Sequence, residues 1–212
     1  MKHNYGWVVV SVAALALSAC GGNGDPQPLV TVSDLAAGSY VVSVGDANTP
    51  VVGKYYADAA GNRLLVLADS SDRASQLYRR EAGKEWVGVP ASDKDVAVKL
   101  LQSNTLVAKT VDLAAMAGSY TTLVATGTVA SFPVQTNGPI VAGTTACKLA
   151  GSLSAGTLAN TLKLSLTATG CGTTVPASST GVATVDADYA PASLRLVADN
   201  GAQLVDLWAY RQ

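Results

Sequence analysis

Short runs in which apolar and polar residues alternate are the feature that most constrains how this chain folds. These runs are rich in Val, Leu, Thr and Tyr, and clusters of Gly, Asn, Asp and Ser separate them. Because successive side chains of a strand point to opposite faces, each run predicts a strand with one apolar face. The predicted strands span 39–45, 50–57, 63–69, 75–80, 85–89, 95–101, 104–110, 119–126, 128–135, 144–154, 160–169, 179–186, 192–199 and 202–210. No long helix is predicted, and the expected fold is all-β and antiparallel, either a small barrel or a sandwich.

Two sequence repeats favour a tandem organisation. Residues 34–40 (DLAAGSY) recur at 112–120 with two residues inserted, and residues 64–69 (LLVLAD) recur at 194–199 as LRLVAD. Alanine-rich sequences also produce such matches by chance, so duplication and coincidence both stay open at this point. Duplication predicts two related β modules in one chain.

The charge distribution separates the two halves of the sequence. The formal net charge is −1, which provides no basic surface for nucleic acid. From residue 113 to residue 185 the only charged side chains are Lys148 and Lys163, in a stretch rich in Ser and Thr. The simpler interpretation is a differently solvated surface, and the functional one is contact with a neutral partner or a glycan.

The N-terminal residues have the layout of a secretory signal. Lys2 precedes an apolar run at 7–17, which small residues and Cys20 follow. This run is shorter than the about 20 residues that a membrane-spanning helix needs. Leu17-Ser18-Ala19-Cys20 resembles the lipobox of bacterial lipoproteins at all four positions. The resemblance implies that the Cys20 thiol receives a diacylglyceryl group, that cleavage precedes it, and that the new amine is acylated, which anchors the protein to a membrane.

Four segments follow from these observations. They are a signal peptide at 1–19, a lipidated Gly- and Pro-rich tether at 20–30, a first β module at 31–110 and a second at 111–212. An Asp directly after the lipidated cysteine favours inner-membrane retention in enteric bacteria. Gly21 occupies that position here, so the resemblance implies a location in the outer membrane of the cell envelope.

Cys147 and Cys171 flank a predicted hairpin and are expected to form a disulfide. Exported proteins meet an oxidising compartment, and folding the hairpin brings its two ends together. The sequence offers neither CxxC spacing nor partner ligands for a metal at these cysteines, and no cofactor is predicted. The single histidine, His3, lies in the signal peptide, so the mature chain has no imidazole for a catalytic triad.

Few other residues suggest chemistry. The pairs Asp93 with Asp95 and Asp186 with Asp188 each place two carboxylates on one face of a strand, which suits a glycosidase-like pair or calcium. Turn solvation is the simpler interpretation of both pairs. Anion binding by Arg79 and Arg80 competes with an exposed strand end, and ligand stacking by Trp86 and Trp208 competes with core packing.

The sequence therefore predicts a membrane-anchored envelope lipoprotein that is a non-enzymatic binding or structural component. Its expected partners are the membrane, through Cys20, and an envelope protein or glycan. Three alternatives stay open. Gly38-Ser39-Tyr40 and Gly118-Ser119-Tyr120 loosely resemble the Gly-x-Trp start of lipocalins, which implies a small-ligand carrier with an apolar lumen. An inhibitor of a host or rival enzyme, similar to envelope lysozyme inhibitors, and a glycan hydrolase using Asp186 and Asp188 are the others.

Overall fold

The computed structural model describes residues 27–212, whose regular structure consists of sixteen β-strands and two 3-10 turns. The strands are β1 Val30–Val32, β2 Gly38–Asp46, β3 Thr49–Ala57, β4 Arg63–Ala68, β5 Ala74–Arg80, β6 Val87–Val89, β7 Val96–Val98, β8 Leu100–Leu106, β9 Gly118–Ala125, β10 Thr128–Val134, β11 Pro139–Ile140, β12 Lys148–Ala155, β13 Thr161–Thr169, β14 Ser178–Thr184, β15 Leu194–Asp199 and β16 Leu204–Arg211. The all-β prediction is confirmed. The predicted signal peptide and the lipidation site Cys20 lie outside the described residues. In the part that is described, no helix has the length and apolar character needed to cross a membrane.

Strands β9 to β16 form a closed antiparallel barrel. Its order is β10-β11-β12-β13-β14-β15-β16-β9, and the ring closes because β9 also pairs with β10. Alternate residues point inward, as the sequence pattern predicts: Leu194 and Leu196 of β15 lie in the barrel core, together with Leu162, Leu164 and Leu166 of β13. The predicted barrel is thus confirmed for the second half of the chain.

The predicted disulfide is confirmed in this barrel. Cys147 and Cys171 lie at the open end of the β12–β13 hairpin, with their sulfur atoms 2.06 Å apart. Both cysteines are buried against the barrel core. The bridge therefore links the two ends of one hairpin and adds a covalent constraint to the barrel.

The first half of the chain forms an open sheet. Six antiparallel strands lie in the order β6-β5-β4-β3-β2-β8, and β1 and β7 form a separate parallel ribbon. The ribbon covers one face of the sheet, where Val32 and Val98 pack near Tyr55, Leu65 and Trp86. The opposite face packs on the outside of the barrel, so the sheet has two cores, one on each face.

Two strands explain why the repeated sequences are so apolar. Strand β4 contributes Leu65 to the core under the ribbon, while Leu64 and Val66 face the barrel. Strand β15 points Leu194 and Leu196 into the barrel and Val197 towards the sheet. A strand buried on both faces needs a continuous apolar run, and these two strands are the repeats at 64–69 and 194–199.

The copies of the other repeat also have the same local structure. The Tyr40 hydroxyl donates to the Ala36 carbonyl at 3.1 Å, and the Tyr120 hydroxyl donates to the Met116 carbonyl at 2.8 Å. Each glycine two residues before the tyrosine begins a strand with a positive φ of about 154°. The repeat thus marks the start of the first long strand of each module.

The predicted strands fail in three places, and elsewhere their boundaries agree with the structure within four residues. Strands β1 and β11 are not among the predicted strands, since runs of three and two residues are too short to show alternation. The predicted strands 95–101 and 104–110 are wrong in their division: the chain leaves the ribbon at Lys99 and β8 ends at Leu106. One continuous alternating run serves two sheets, and its partners decide where it divides.

Candidate functional site

A cleft of about 590 Å³ lies between the sheet and the outer wall of the barrel. Val52 and Val66 of the sheet face Val182, Val197 and Trp208 of the barrel across it. We refer to this space, bounded by those five residues, as the cleft. Its walls are apolar because they continue the core that joins the two modules. Concave, mostly apolar spaces with a few fixed polar groups are typical of small-ligand sites.

One carboxylate pair from the sequence analysis lies at the cleft edge. Asp186 and Asp188 both accept hydrogen bonds from the Lys54 ammonium, at 2.8 and 2.9 Å. Asp186 also accepts from the Asp188 backbone N–H at 3.1 Å, which caps the 3-10 turn Ala187–Tyr189. The two carboxylates are therefore brought together around Lys54 of the sheet. The predicted position on one face of a strand is wrong, because β14 ends at Thr184 and the 3-10 turn that follows it contains Asp188 and has Asp186 as its N-cap.

The charges of this ion pair stabilise each other. Burial lowers the pKa of Lys54, but hydrogen bonds to Asp186 and Asp188 outweigh this effect, and the pKa is raised overall. Burial raises the pKa of Asp186, but the Lys54 hydrogen bond and charge outweigh it, and the pKa is lowered overall. Asp186 therefore stays ionised near neutral pH, whereas a general acid must be protonated.

A second ion pair underlies the cleft on the barrel side. The Arg195 guanidinium donates to both Asp206 carboxylate oxygens, at 2.8 and 2.9 Å, and each side chain is 6 % exposed. The pair reaches the sheet, because Arg195 also donates to the Asp72 carbonyl and Asp206 accepts from the Ala74 N–H. Burial lowers the pKa of Arg195, but Asp206 outweighs this effect and raises it.

Two aromatic rings enclose the Arg195 guanidinium. Its central carbon lies 4.8 Å from the Trp208 ring centre and 5.3 Å from that of Tyr189. The two rings meet edge to face at 5.3 Å. Trp208 lines the cleft and also donates from its indole N–H to Asp206, so it joins the ion pair to the apolar wall.

Sequence reasoning missed Lys54, Arg195 and Asp206 as site residues. A signal for the last two exists: each charge interrupts an apolar run, in Leu-Arg-Leu-Val and in Leu-Val-Asp-Leu-Trp. A charge on a buried strand needs an opposite charge close by, and neighbouring strands supply it. Lys54 carries no comparable signal, because its partners lie 132 and 134 residues away.

One buried polar atom beside the cleft lacks a partner. Thr184 lines the cleft and is buried, and no hydrogen bond to its Oγ1 is found within residues 27–212. Tyr56 also lines the cleft, and burial among apolar residues raises the pKa of its hydroxyl well above the ordinary value. Both hydroxyls therefore remain neutral and act only as hydrogen-bonding groups.

The other predicted site residues lie elsewhere. Asp95 accepts a hydrogen bond from the Leu29 N–H and so holds the start of the ribbon. Arg79 and Arg80 form the end of β5 and are partly exposed, and each pairs with a carboxylate of the chain, Arg79 with Asp199 and Arg80 with Asp34. Trp86 is buried in the sheet core beneath the Arg80 guanidinium. In residues 27–212, no cluster of three His, Cys, Asp or Glu side chains suits a metal ion.

The barrel interior does not provide the apolar lumen that a lipocalin-like carrier needs. Phe132 stacks on Tyr120 there with ring centres 5.8 Å apart, and leucines from β12, β13, β15 and β16 fill the remaining space. These inward side chains are 0–3 % exposed, whereas side chains around an open lumen would expose surface to it. The barrel interior is therefore packed solid, and the cleft outside the barrel is the candidate ligand site.

Comparison with known proteins identifies no relative of this chain. No protein-family model matches the chain, and neither a curated protein nor a solved structure matches it.

Proposed function

We propose that this protein is a lipid-anchored lipoprotein of the bacterial envelope that binds a small ligand in the cleft and is not an enzyme. The anchor rests on Leu17-Ser18-Ala19-Cys20, which resembles a lipobox. The binding role rests on one observation: both cations that line the cleft, Lys54 and Arg195, are paired with carboxylates at its edge, and the space of about 590 Å³ between the sheet and the barrel is mostly apolar. Paired, ionised groups suit orientation of a ligand more than proton transfer.

The anchor is tested by replacing the lipidated sulfur. In a bacterial host, the wild-type chain should incorporate radiolabelled palmitate and sediment with membranes, whereas Cys20→Ser should do neither. The conservative change removes one thiol and leaves the apolar run at 7–17 in place. If Cys20→Ser still carried label and still sedimented with membranes, the anchor proposal would be wrong.

The binding role is tested by filling the cleft. N-phenyl-1-naphthylamine, a neutral apolar fluorophore, should show saturable fluorescence enhancement with the purified wild-type protein. Val52→Trp places a large ring in the cleft at a half-exposed strand position and should weaken this binding about tenfold, the effect of losing roughly 1.4 kcal/mol.

A matched variant controls for the added tryptophan. Val129→Trp lies on the outer face of β10, is similarly exposed and does not line the cleft. It should bind the fluorophore like the wild type. Equal loss in both variants, or no saturable binding by the wild type, would contradict the binding role without affecting the anchor proposal.

A further inference from the structure

A second space, of about 600 Å³, lies on another side of the joint between the modules. Its wall is the β4–β5 hairpin, which contributes Arg79, and its floor is the outer face of strands β12, β13 and β14. We refer to this space as the groove. The floor belongs to the stretch from residue 113 to residue 185, in which Lys148 and Lys163 are the only charges.

Hydroxyl groups form a row across the groove floor. Ser152 pairs with Ser165 on the next strand, and Ser165 pairs with Thr180 on the strand after that. All three side chains point outward and are exposed. Neighbouring strands are about 4.8 Å apart, so three donor–acceptor groups lie side by side at this spacing. Such a row can contact successive oxygens of one polyhydroxylated molecule.

Positive charge borders this row. Lys163 lies on the adjacent row of the floor, next to Ser154, and none of the ion pairs in residues 27–212 involves it. Arg79 donates from Nε and Nη2 to the buried Asp199 at 2.9 and 3.2 Å, which uses two of its five N–H donors. Asp199 therefore fixes the guanidinium at the end of the hydroxyl row, since it pairs with Thr180.

The groove and the cleft differ in the sign of their charge. Four cations and two carboxylates line the groove, and the cations are Arg63, Arg79, Arg80 and Lys163. Two cations and three carboxylates line the cleft. Asp34 also pairs with Arg63 and Arg80 of the groove, and Asp186 and Asp206 also pair with the two cations of the cleft. With these carboxylates counted, cations still outnumber carboxylates only at the groove, so an anion entering between the sheet and the barrel is attracted there.

We propose that the groove binds an anionic saccharide, a sugar that carries a carboxylate or a phosphate. The hydroxyl row recognises the sugar hydroxyls, and Lys163 and Arg79 bind the acidic group through charge-assisted hydrogen bonds. The cleft plays no part in this recognition, so the groove site can be tested independently of the function proposed above.

Calorimetric titration of the purified protein with four probes tests the ligand class. Trigalacturonate supplies carboxylates on a sugar, and glucose 6-phosphate supplies a phosphate on a sugar. Maltotriose is a sugar without an acidic group, and inorganic phosphate is an anion without a sugar. At least one acidic sugar should bind about tenfold more tightly than both single-feature probes, and added NaCl should weaken it. Equal affinity for maltotriose, or for inorganic phosphate, would overturn the proposal.

The two lysines of the uncharged stretch provide a matched pair of variants. Lys163→Ala should weaken the acidic sugar about tenfold, the loss expected for one charge-assisted hydrogen bond. Lys148→Ala removes another exposed lysine from the outer face of the barrel, outside the groove, and should have no effect. Equal effects of the two changes would show that only overall charge matters and would overturn the site.

A further variant separates sugar recognition from anion binding. Ser165→Ala with Thr180→Val removes two exposed hydroxyls, and thermal melting would verify that the fold is retained. These changes should weaken the acidic sugar several-fold and leave the inorganic phosphate titration unchanged. Acidic-sugar binding that is unaffected by both changes would contradict a role for the hydroxyl row.

Discussion

The barrel and the sheet bury their apolar residues in different ways. Each barrel strand has two hydrogen-bonded neighbours, and one face of the ring fills the interior. The sheet is open and has two apolar faces, so it needs the β1–β7 ribbon on one side and the barrel on the other. A closed ring completes its own core, whereas an open sheet takes its second core from a neighbour. Both spaces proposed as binding sites lie at the joint that this dependence creates.

A matched pair of leucines tests this comparison with the largest expected effect. Leu196 lies inside the barrel and Leu65 lies between the sheet and the ribbon, and both are fully buried. Replacing either with alanine should cost about 2–5 kcal/mol of unfolding free energy. We expect Leu196→Ala to lie at the upper end, because a closed ring cannot collapse onto the cavity, while the two-stranded ribbon can shift.

Urea unfolding monitored by circular dichroism measures both values, and the two variants serve as controls for each other because the removed atoms are the same. A larger loss for Leu65→Ala would mean that the open sheet is the more rigid of the two. The comparison between a self-contained ring and a dependent sheet would then be wrong.

The disulfide provides a second test of the difference between the barrel and the sheet, because within residues 27–212 it lies in the barrel alone. Its ends are 24 residues apart, and closing a loop of this size stabilises a protein by about 3 kcal/mol in the chain-entropy model. The double change Cys147→Ala with Cys171→Ala should lower the urea midpoint accordingly. A reductant should reproduce the loss in the wild-type protein and change nothing in the variant. A wild-type midpoint that does not respond to reductant would contradict the prediction.

The ion pair of Lys54 with Asp186 and Asp188 tests the joint between the two regions. Lys54→Met should destabilise the protein by about 1–2 kcal/mol near neutral pH, because Asp186 loses its partner at a half-buried site. The pKa of Asp186 is lower in the folded protein than in the unfolded chain. Its contribution to stability is therefore fully present above the unfolded-state pKa and is lost as the pH falls through the folded-state pKa. The pKa of Lys54 is higher in the folded protein, so its contribution to stability is fully present below the unfolded-state pKa and is lost as the pH rises through the folded-state pKa.

The difference between the wild type and Lys54→Met should therefore be constant between about pH 5 and pH 9 and shrink in acid and in strong base. Urea titrations across this pH range measure it. Lys99→Met is the control, since Lys99 is exposed and takes part in no ion pair of residues 27–212. A pH-independent difference would mean that Lys54 acts through packing and not through charge.

The sequence predicts the features of each region that depend on residues close together in the chain. Alternation places most strands within a few residues, and the hairpin pattern brings Cys147 and Cys171 together. The sites depend on contacts between the modules, which local patterns do not encode. Asp186 and Asp188 are recognisable as a pair, but only packing of the sheet on the barrel brings Lys54 to them. Likewise, Arg79 donates a hydrogen bond to Asp199, which lies 120 residues away in the sequence.

The smallest expected effect compares the two copies of the repeat directly. Tyr40→Phe and Tyr120→Phe each remove one hydroxyl that donates to the carbonyl four residues earlier. Losing such a hydrogen bond costs about 0.5–1.5 kcal/mol. Tyr120 should lie at the upper end, because its ring is buried in the barrel core and its bond is shorter, at 2.8 Å against 3.1 Å. Tyr40 only packs against the sheet core, where water can replace its hydroxyl bond. Urea unfolding measures both losses, and equal losses would mean that the glycines fix the start of both strands and that the depth of each tyrosine does not matter.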